Sequence, residues 1–214
     1  EDSLRVEAPD GSWAVLRPFL TAGPPPTGVV RRLLSGEPPH EGDQEALQSW
    51  VEPPLRILTL LVRRSGYAVA VSQGQAVLAH TTGSRYVQSR TAAGGWSQKR
   101  YQRRRDNQAD ALVGAAAEAT ERMLAQAACT PHLPDSSAGL TSGEVALVVL
   151  GGDKAIAREV FASVCARSGA TGGRRLEEVS QRTRFDVGDP SYALVRDVLA
   201  WATSVPVEVV DTTR

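Results

Sequence analysis

The chain has 214 residues with 24 basic and 24 acidic side chains, so its formal net charge is +0, and any concentration of one sign must be local. Apolar residues make up 42% and charged residues 22%, a balance that supports a packed core and excludes a disordered polyelectrolyte. Two cysteines without C-x-x-C spacing give no disulfide framework and no structural zinc site, and no apolar stretch is long enough to span a bilayer. The start at Glu1 shows neither a basic nor an apolar leader region, so a soluble cytoplasmic protein is expected.

Residues 1–55 read as an irregular Pro/Gly-rich accessory segment. Pro24-Pro25-Pro26, Pro38-Pro39 and Pro53-Pro54 interrupt any long helix or central strand. A strand at 14–17 and a short helix at 43–50 are expected there, with Trp13, Phe19 and Trp50 tying the segment to the body. Residues 56–63 (RILTLLVR) form an apolar run bounded by charge, the pattern of a buried strand. Apolar runs at 67–72 and 76–80 flank Gln73-Gly74-Gln75 and predict a hairpin; residues 85–89 continue in strand-like texture.

A long helix is predicted over 98–128. Leu112, Ala116, Ala119 and Met123 recur at helical spacing as one apolar stripe, extended backwards by Tyr101, Arg105 and Gln108, while Arg100, Arg103 and Arg104 share another face. After a loop at 130–143 come a central strand at 144–150, a Gly151-Gly152-Asp153 turn, a helix at 154–168, a strand within 174–181, a helix at 191–203 and a closing strand at 205–210. The order predicts an α/β fold with a mixed sheet, residues 56–214 forming the main domain.

One cluster stands out against the neutral background. Lys99, Arg100, Arg103, Arg104 and Arg105 follow directly on Gly94-Gly95-Trp96-Ser97-Gln98. Five cations in so short a run repel one another, and they occupy the first turns of a helix, where the dipole already presents positive charge. An anion relieves both costs, and nucleic acid is the most abundant large one in a cell. The paired glycines permit positive φ and close approach to another backbone, so the loop can deliver the Gln98 amide to a centre elsewhere; the plainer alternative is a glycine loop closed by a Ser97 helix cap. The arginine bias of the chain as a whole fits genome composition equally well.

Other motifs carry less. Gly151-Gly152-Asp153-Lys154 follows a strand but lacks either phosphate-loop pattern, so a tight strand-to-helix connection is expected. Gly172-Gly173-Arg174-Arg175 reads as a loop. His40, His80 and His132 show no ligand spacing, no serine sits in a G-x-S-x-G elbow, and the first apolar strand lacks the acid that two-metal phosphoryl chemistry needs. No metal and no cofactor are expected.

The stretch from Gly94 to Arg105 resembles the central domain of eukaryotic and archaeal class I release factors, and more closely their Vms-like relatives in ribosome quality control, including actinobacterial members. The resemblance runs from about Arg56 to the C-terminus and takes in the Leu147–Asp153 strand and turn. It implies an RNase H-like α/β domain whose glycine-rich loop precedes a long basic helix. It also implies hydrolysis of the ester joining a nascent peptide to tRNA, with the loop entering the peptidyl-transferase centre of the large ribosomal subunit. By position, Gln98 would orient the attacking water, Gly94 and Gly95 would let the loop fit, and Ser97 would support its geometry. Lys99, Arg100, Arg103, Arg104 and Arg105 would hold ribosomal RNA or tRNA. Release factors have Gly-Gly-Gln contiguous, whereas Trp96 and Ser97 intervene here. That departure, and the lack of a recognisable codon-reading domain, favour codon-independent rescue of stalled or split subunits over termination. A non-catalytic RNA-binding module of the same fold and a tRNA or ribosomal RNA nuclease are the alternatives. No DNA or membrane partner is expected.

Overall fold

The computed structural model describes residues 3–7, 9–17, 26–35, 37–38, 40–51, 55–84, 97–129, 144–168, 170–171 and 174–211. In chain order the elements are β1 (Leu4–Glu7), β2 (Trp13–Leu16), α1 (Thr27–Leu34), α2 (Asp43–Val51), β3 (Arg56–Arg63), β4 (Gly66–Gln73), β5 (Ala76–Ser84) and α3 (Ser97–Ala128). There follow β6 (Val145–Gly152), α4 (Lys154–Ser168), β7 (Ala170–Thr171), β8 (Arg174–Arg175), a 3-10 turn (Leu176–Glu178), β9 (Ser180–Arg184), α5 (Tyr192–Thr203) and β10 (Val207–Val210).

A five-stranded mixed sheet in the order β5-β4-β3-β6-β9 organises the molecule. β3, β4 and β5 form an antiparallel meander, and β6 and β9 add in parallel to β3. β3 and β6 lie in the middle with both faces covered, which is why they read as continuous apolar runs with no alternation. One face, with Leu58, Leu60, Val62, Val69 and Val71, packs against α3 and α4. The other, with Ile57, Leu61, Leu147 and Val149, is covered by Val195, Val198 and Leu199 of α5. β4 alternates Val with Ala: its valines face α3 and α4, and Ala68 and Ala70 leave room for α5.

The α3 stripe is buried as its spacing predicts: Leu112, Ala116 and Ala119 are fully enclosed and Met123 nearly so. The tight turn at 74–75 and the helices at α4 and α5 also lie where the pattern puts them. Strand-like residues 85–89 and the 130–143 loop fall outside the described residues, as do Phe19 and His132.

Three expectations are corrected. The N-terminal segment is less irregular than expected: the expected strand and short helix are β2 and α2, and β1 and α1 are added to them. The closing strand does not join the main sheet. β10 pairs with β2, which pairs with β1, in a separate three-stranded sheet. The strand expected within 174–181 is broken up, because Leu176 and Val179 both bury into the α3/α4 cluster. Their spacing of three suits a 3-10 turn, and the true sheet strand is β9 beyond it.

α1 and α2 are clasped by a part-buried ion pair. Asp43 accepts from the Arg32 guanidinium through Oδ1 and from the His40 amide through Oδ2 at 2.9 Å. The Arg32 hydrogen bond, then that of His40, holds the Asp43 carboxyl below its ordinary value of 3.8. A depressed folded-state pKa stabilises the fold above the unfolded value and loses that contribution as pH falls through the folded one. Asp43→Asn is therefore expected to lower the unfolding temperature at neutral pH. The gap to wild type should close below about pH 4, where the unfolded carboxyl protonates first, in thermal melts recorded against pH.

Candidate functional site

α3 is 32 residues long, about 48 Å, and its buried residues among those described run from Leu112 to Ala127. Its alanine-rich second half is a strong helix former and is small enough to lie close to α4 and the sheet. Leu112 is the first buried residue of the helix among those described. Before it, Arg103, Asn107, Asp110 and Ala111 are exposed, and Gln108 and Ala109 are half-buried. The start of α3 at Ser97 thus lies about 22 Å along the helix from Leu112, its first buried residue among those described.

The direction of the helix follows from sheet topology. β5 is antiparallel to β4, β4 to β3, and β3 is parallel to β6, so β5 and β6 point the same way. The helix connecting them must run back. Its first turns accordingly sit at the end of the sheet where β3, β5 and β6 finish.

Ser97 is the first residue of α3, and Gln98, Lys99, Arg100, Arg103, Arg104 and Arg105 occupy its first turns. They share one helix end. Arg103 is the one whose side chain is described, and it is exposed. Gly94 and Gly95 lie outside the described residues. The first turn of α3 contains no acid, so nothing on the helix start itself offsets its dipole.

The Gly151-Gly152-Asp153 turn is structural. Gly151 and Gly152 are the last residues of β6, pressed against β3: a Cβ on Gly152 would stand 2.1 Å from the Val62 carbonyl oxygen, and one on Gly151 2.7 Å from Leu61. Asp153 then starts α4, its Oδ1 accepting from the amides of Ala155 at 3.1 Å and Ile156 at 3.3 Å. No phosphate is needed to explain these residues. Arg174 and Arg175 form β8, and Gly172 and Gly173 are outside the described residues.

The two described histidines, His40 and His80, belong to no ligand set. The His40 amide serves the α1–α2 clasp, and His80 stacks edge-on with Tyr192 at 4.1 Å between ring centroids. Cys129 is exposed; Cys165 is half-buried, and burial pushes its thiol upward. Among the described residues no group of histidine, cysteine and carboxylate side chains could hold a metal ion, and no helix is long and apolar enough to cross a membrane.

Sequence reasoning missed the neighbourhood of Trp201. Arg182 lies 4.6 Å and Arg184 5.3 Å from its ring centre, and Arg182 Nη1 donates to the carbonyls of Trp201 at 3.3 Å and Ala202 at 2.6 Å. Arg182 thereby satisfies the end of α5, and burial lowers its pKa. The only sequence signal was alternation in Arg182-Thr183-Arg184, which does not name a partner twenty residues on.

No curated protein matches the chain. Residues 55–208 match the family model described as the Actinobacteria/chloroflexi VLRF1 release factor. The match starts just before β3 and ends within β10, so it takes in the entire five-stranded sheet with α3, α4 and α5 and leaves β1, β2, α1 and α2 outside. A basic helix start at the end of a mixed sheet thus coincides with a family match over most of the sequence, and the chain belongs to the Actinobacteria/chloroflexi VLRF1 release factor family.

Proposed function

We propose that this protein is a codon-independent peptidyl-tRNA hydrolase that frees nascent chains on stalled or split large ribosomal subunits. The observation that carries this reading is the start of α3: a cation-rich helix end about 22 Å along the axis from Leu112, the first buried residue among those described, in a chain of a release-factor family. Such a helix end suits insertion into a narrow RNA-walled site, where arginine forks bind phosphate and the preceding loop leads. The strand order β5-β4-β3-β6-β9, antiparallel on one side and parallel on the other, supports an RNase H-like reading of the domain.

In this mechanism, water adds to the ester carbonyl that joins the peptide to the tRNA ribose. The bond from the carbonyl carbon to the ribose oxygen breaks, the ribose oxygen takes one of the water's protons to become a hydroxyl, the peptide leaves as a carboxylate, and the second proton passes to solvent. Gln98 has a neutral carboxamide that is no base in the working pH range, so it contributes by orienting water and donating a hydrogen bond. Gly94 and Gly95 let the loop close on the ester, and Ser97 supports its geometry. Lys99, Arg100, Arg103, Arg104 and Arg105 grip ribosomal RNA or tRNA. The reaction takes place in the cytoplasm without metal or cofactor. Residues 56–214 are the catalytic domain, and residues 1–55 are an accessory segment attached through the β2–β10 pairing.

The test is release of labelled peptide from purified large-subunit–peptidyl-tRNA complexes that carry no messenger. Release by the wild-type protein is expected. Salt-sensitive binding without release would make the chain an RNA-binding module, and cleaved phosphodiester bonds would make it a nuclease.

A further inference from the structure

The sheet end from which α3 rises holds a second group of cations that no local motif announces. β3 and β6 finish side by side: Val62 pairs with Gly152, and the Asp153 amide donates to the Val62 carbonyl at 2.7 Å. The β3–β4 turn at 64–65 and the start of α4 are therefore neighbours, although about ninety residues separate them in the chain. Arg63 lies across Gly152, its Cγ 3.0 Å from where a Cβ on that glycine would stand, and its Nη1 donates to the Val187 carbonyl at 2.8 Å. A carbonyl satisfies that donor without neutralising the charge. Arg64 and Lys154 are exposed, and neither has an ion pair among the described residues.

The acids at this end are already engaged. Asp153 accepts from the first amides of α4, Asp189 Oδ1 accepts from Ser65 Oγ at 2.8 Å, and Asp186 stands 3.8 Å from Arg184. Hydrogen bonds to neutral groups leave the Asp153 and Asp189 charges in place, so Arg63, Arg64, Lys154 and Arg184 set four positive charges at this end against three carboxylates, and a positive excess persists in a chain of formal net charge +0. The backbone beneath is rigid, because the two strand ends are hydrogen-bonded and tied to the 187–189 loop. The cation-rich start of α3 lies at the same end, so one extended polyanion can meet both.

We propose that Arg63, Arg64 and Lys154 form a second contact for RNA phosphates, a platform at the sheet end that holds the body of the protein while the start of α3 is inserted. This inference rests on the ribosomal reading above. Phosphate is favoured over an acidic protein because the surface offers arginine forks and a lysine, and the adjoining helix carries the same chemistry.

The experiment uses the full chain carrying Arg64→Gln with Lys154→Gln, two exposed positions whose change should leave the unfolding temperature unaltered. Binding to purified large ribosomal subunits is measured over a salt series, beside wild type and the Arg100→Ala, Arg103→Ala, Arg104→Ala combination. The double variant is expected to reduce the slope of log affinity against log salt by about 1.5, at roughly 0.7–0.9 per phosphate contact, in addition to the loss from the helix variant. A double variant indistinguishable from wild type, with the helix variant impaired, would overturn the platform and leave the ribosomal reading intact. Weakened binding with an unchanged slope would also overturn it, in favour of a protein contact. Wild type without salt-dependent binding would sink both.

Discussion

Gln98→Ala is expected to reduce peptide release by at least about 100-fold while leaving affinity for the large subunit within about twofold of wild type, because removing one preorganised donor to a developing charge typically costs 10²–10³ in rate. The separation of the two effects is the substance of the prediction. On the proposed reading the cations that follow Gln98 on α3 would supply binding through charge, and a neutral carboxamide would add little to it in a site surrounded by phosphate. Orientation of one water contributes only when the ester is being attacked, so its loss appears in turnover. Single-turnover release from a saturated complex measures the chemistry alone. If Gln98→Ala released peptide at the wild-type rate, Gln98 would lose its role and the loop would be a docking element. If affinity and release fell together, the residue would belong to the binding surface, and the amide would carry no special part in hydrolysis.

The two halves of that prediction were unequally legible. The cation run is a local feature: five charges within seven residues need no tertiary knowledge to be seen, and neither does the Leu112–Met123 stripe that anchors the helix behind them. From those two facts a basic helix start ahead of a buried stripe could be read, and the structure adds the direction of the helix, which depends on β5 and β6 pointing the same way. The β3–β4–β5 meander was legible for a similar reason, since each strand pairs with its sequence neighbour across a short turn. What escaped was non-local. β2 pairs with β10 across most of the chain, and nothing in WAVL or VEVV names the other. Arg63, Arg64 and Lys154 become neighbours only through the Val62–Gly152 register. Strand β9 reads SQRTR, polar throughout, because it is the sheet edge, and apolar patterning gives an edge strand little weight. The more apolar Leu176 and Val179 just before it drew the strand expectation to the wrong residues.

Gly152→Ala tests whether the glycine pair at the end of β6 is structure or function, and the expected result is a loss of stability of about 2–6 kcal/mol. Two costs combine. Gly152 has φ +93, a conformation that side-chain-bearing residues rarely adopt, at about 1–3 kcal/mol. A Cβ there would also stand 2.1 Å from the Val62 oxygen and 2.8 Å from its carbonyl carbon, backbone atoms held by the central β3–β6 pairing, so relief requires moving two buried strands. Overpacking of that kind adds about 1–3 kcal/mol. Gly74→Ala is the matched control: its φ is +54 but no atom lies within 4 Å of the new Cβ, so only the conformational cost of about 1–2 kcal/mol remains. Urea denaturation at constant m-value should rank Gly152→Ala well below Gly74→Ala. Should Gly152→Ala fold with wild-type stability yet fail to release peptide, the close approach at Val62 would not govern the site, and the turn would have to be reassigned to ligand binding. The turn meets β3 at the platform that carries Arg63 and Arg64, so its rigidity also fixes where those cations stand relative to the start of α3.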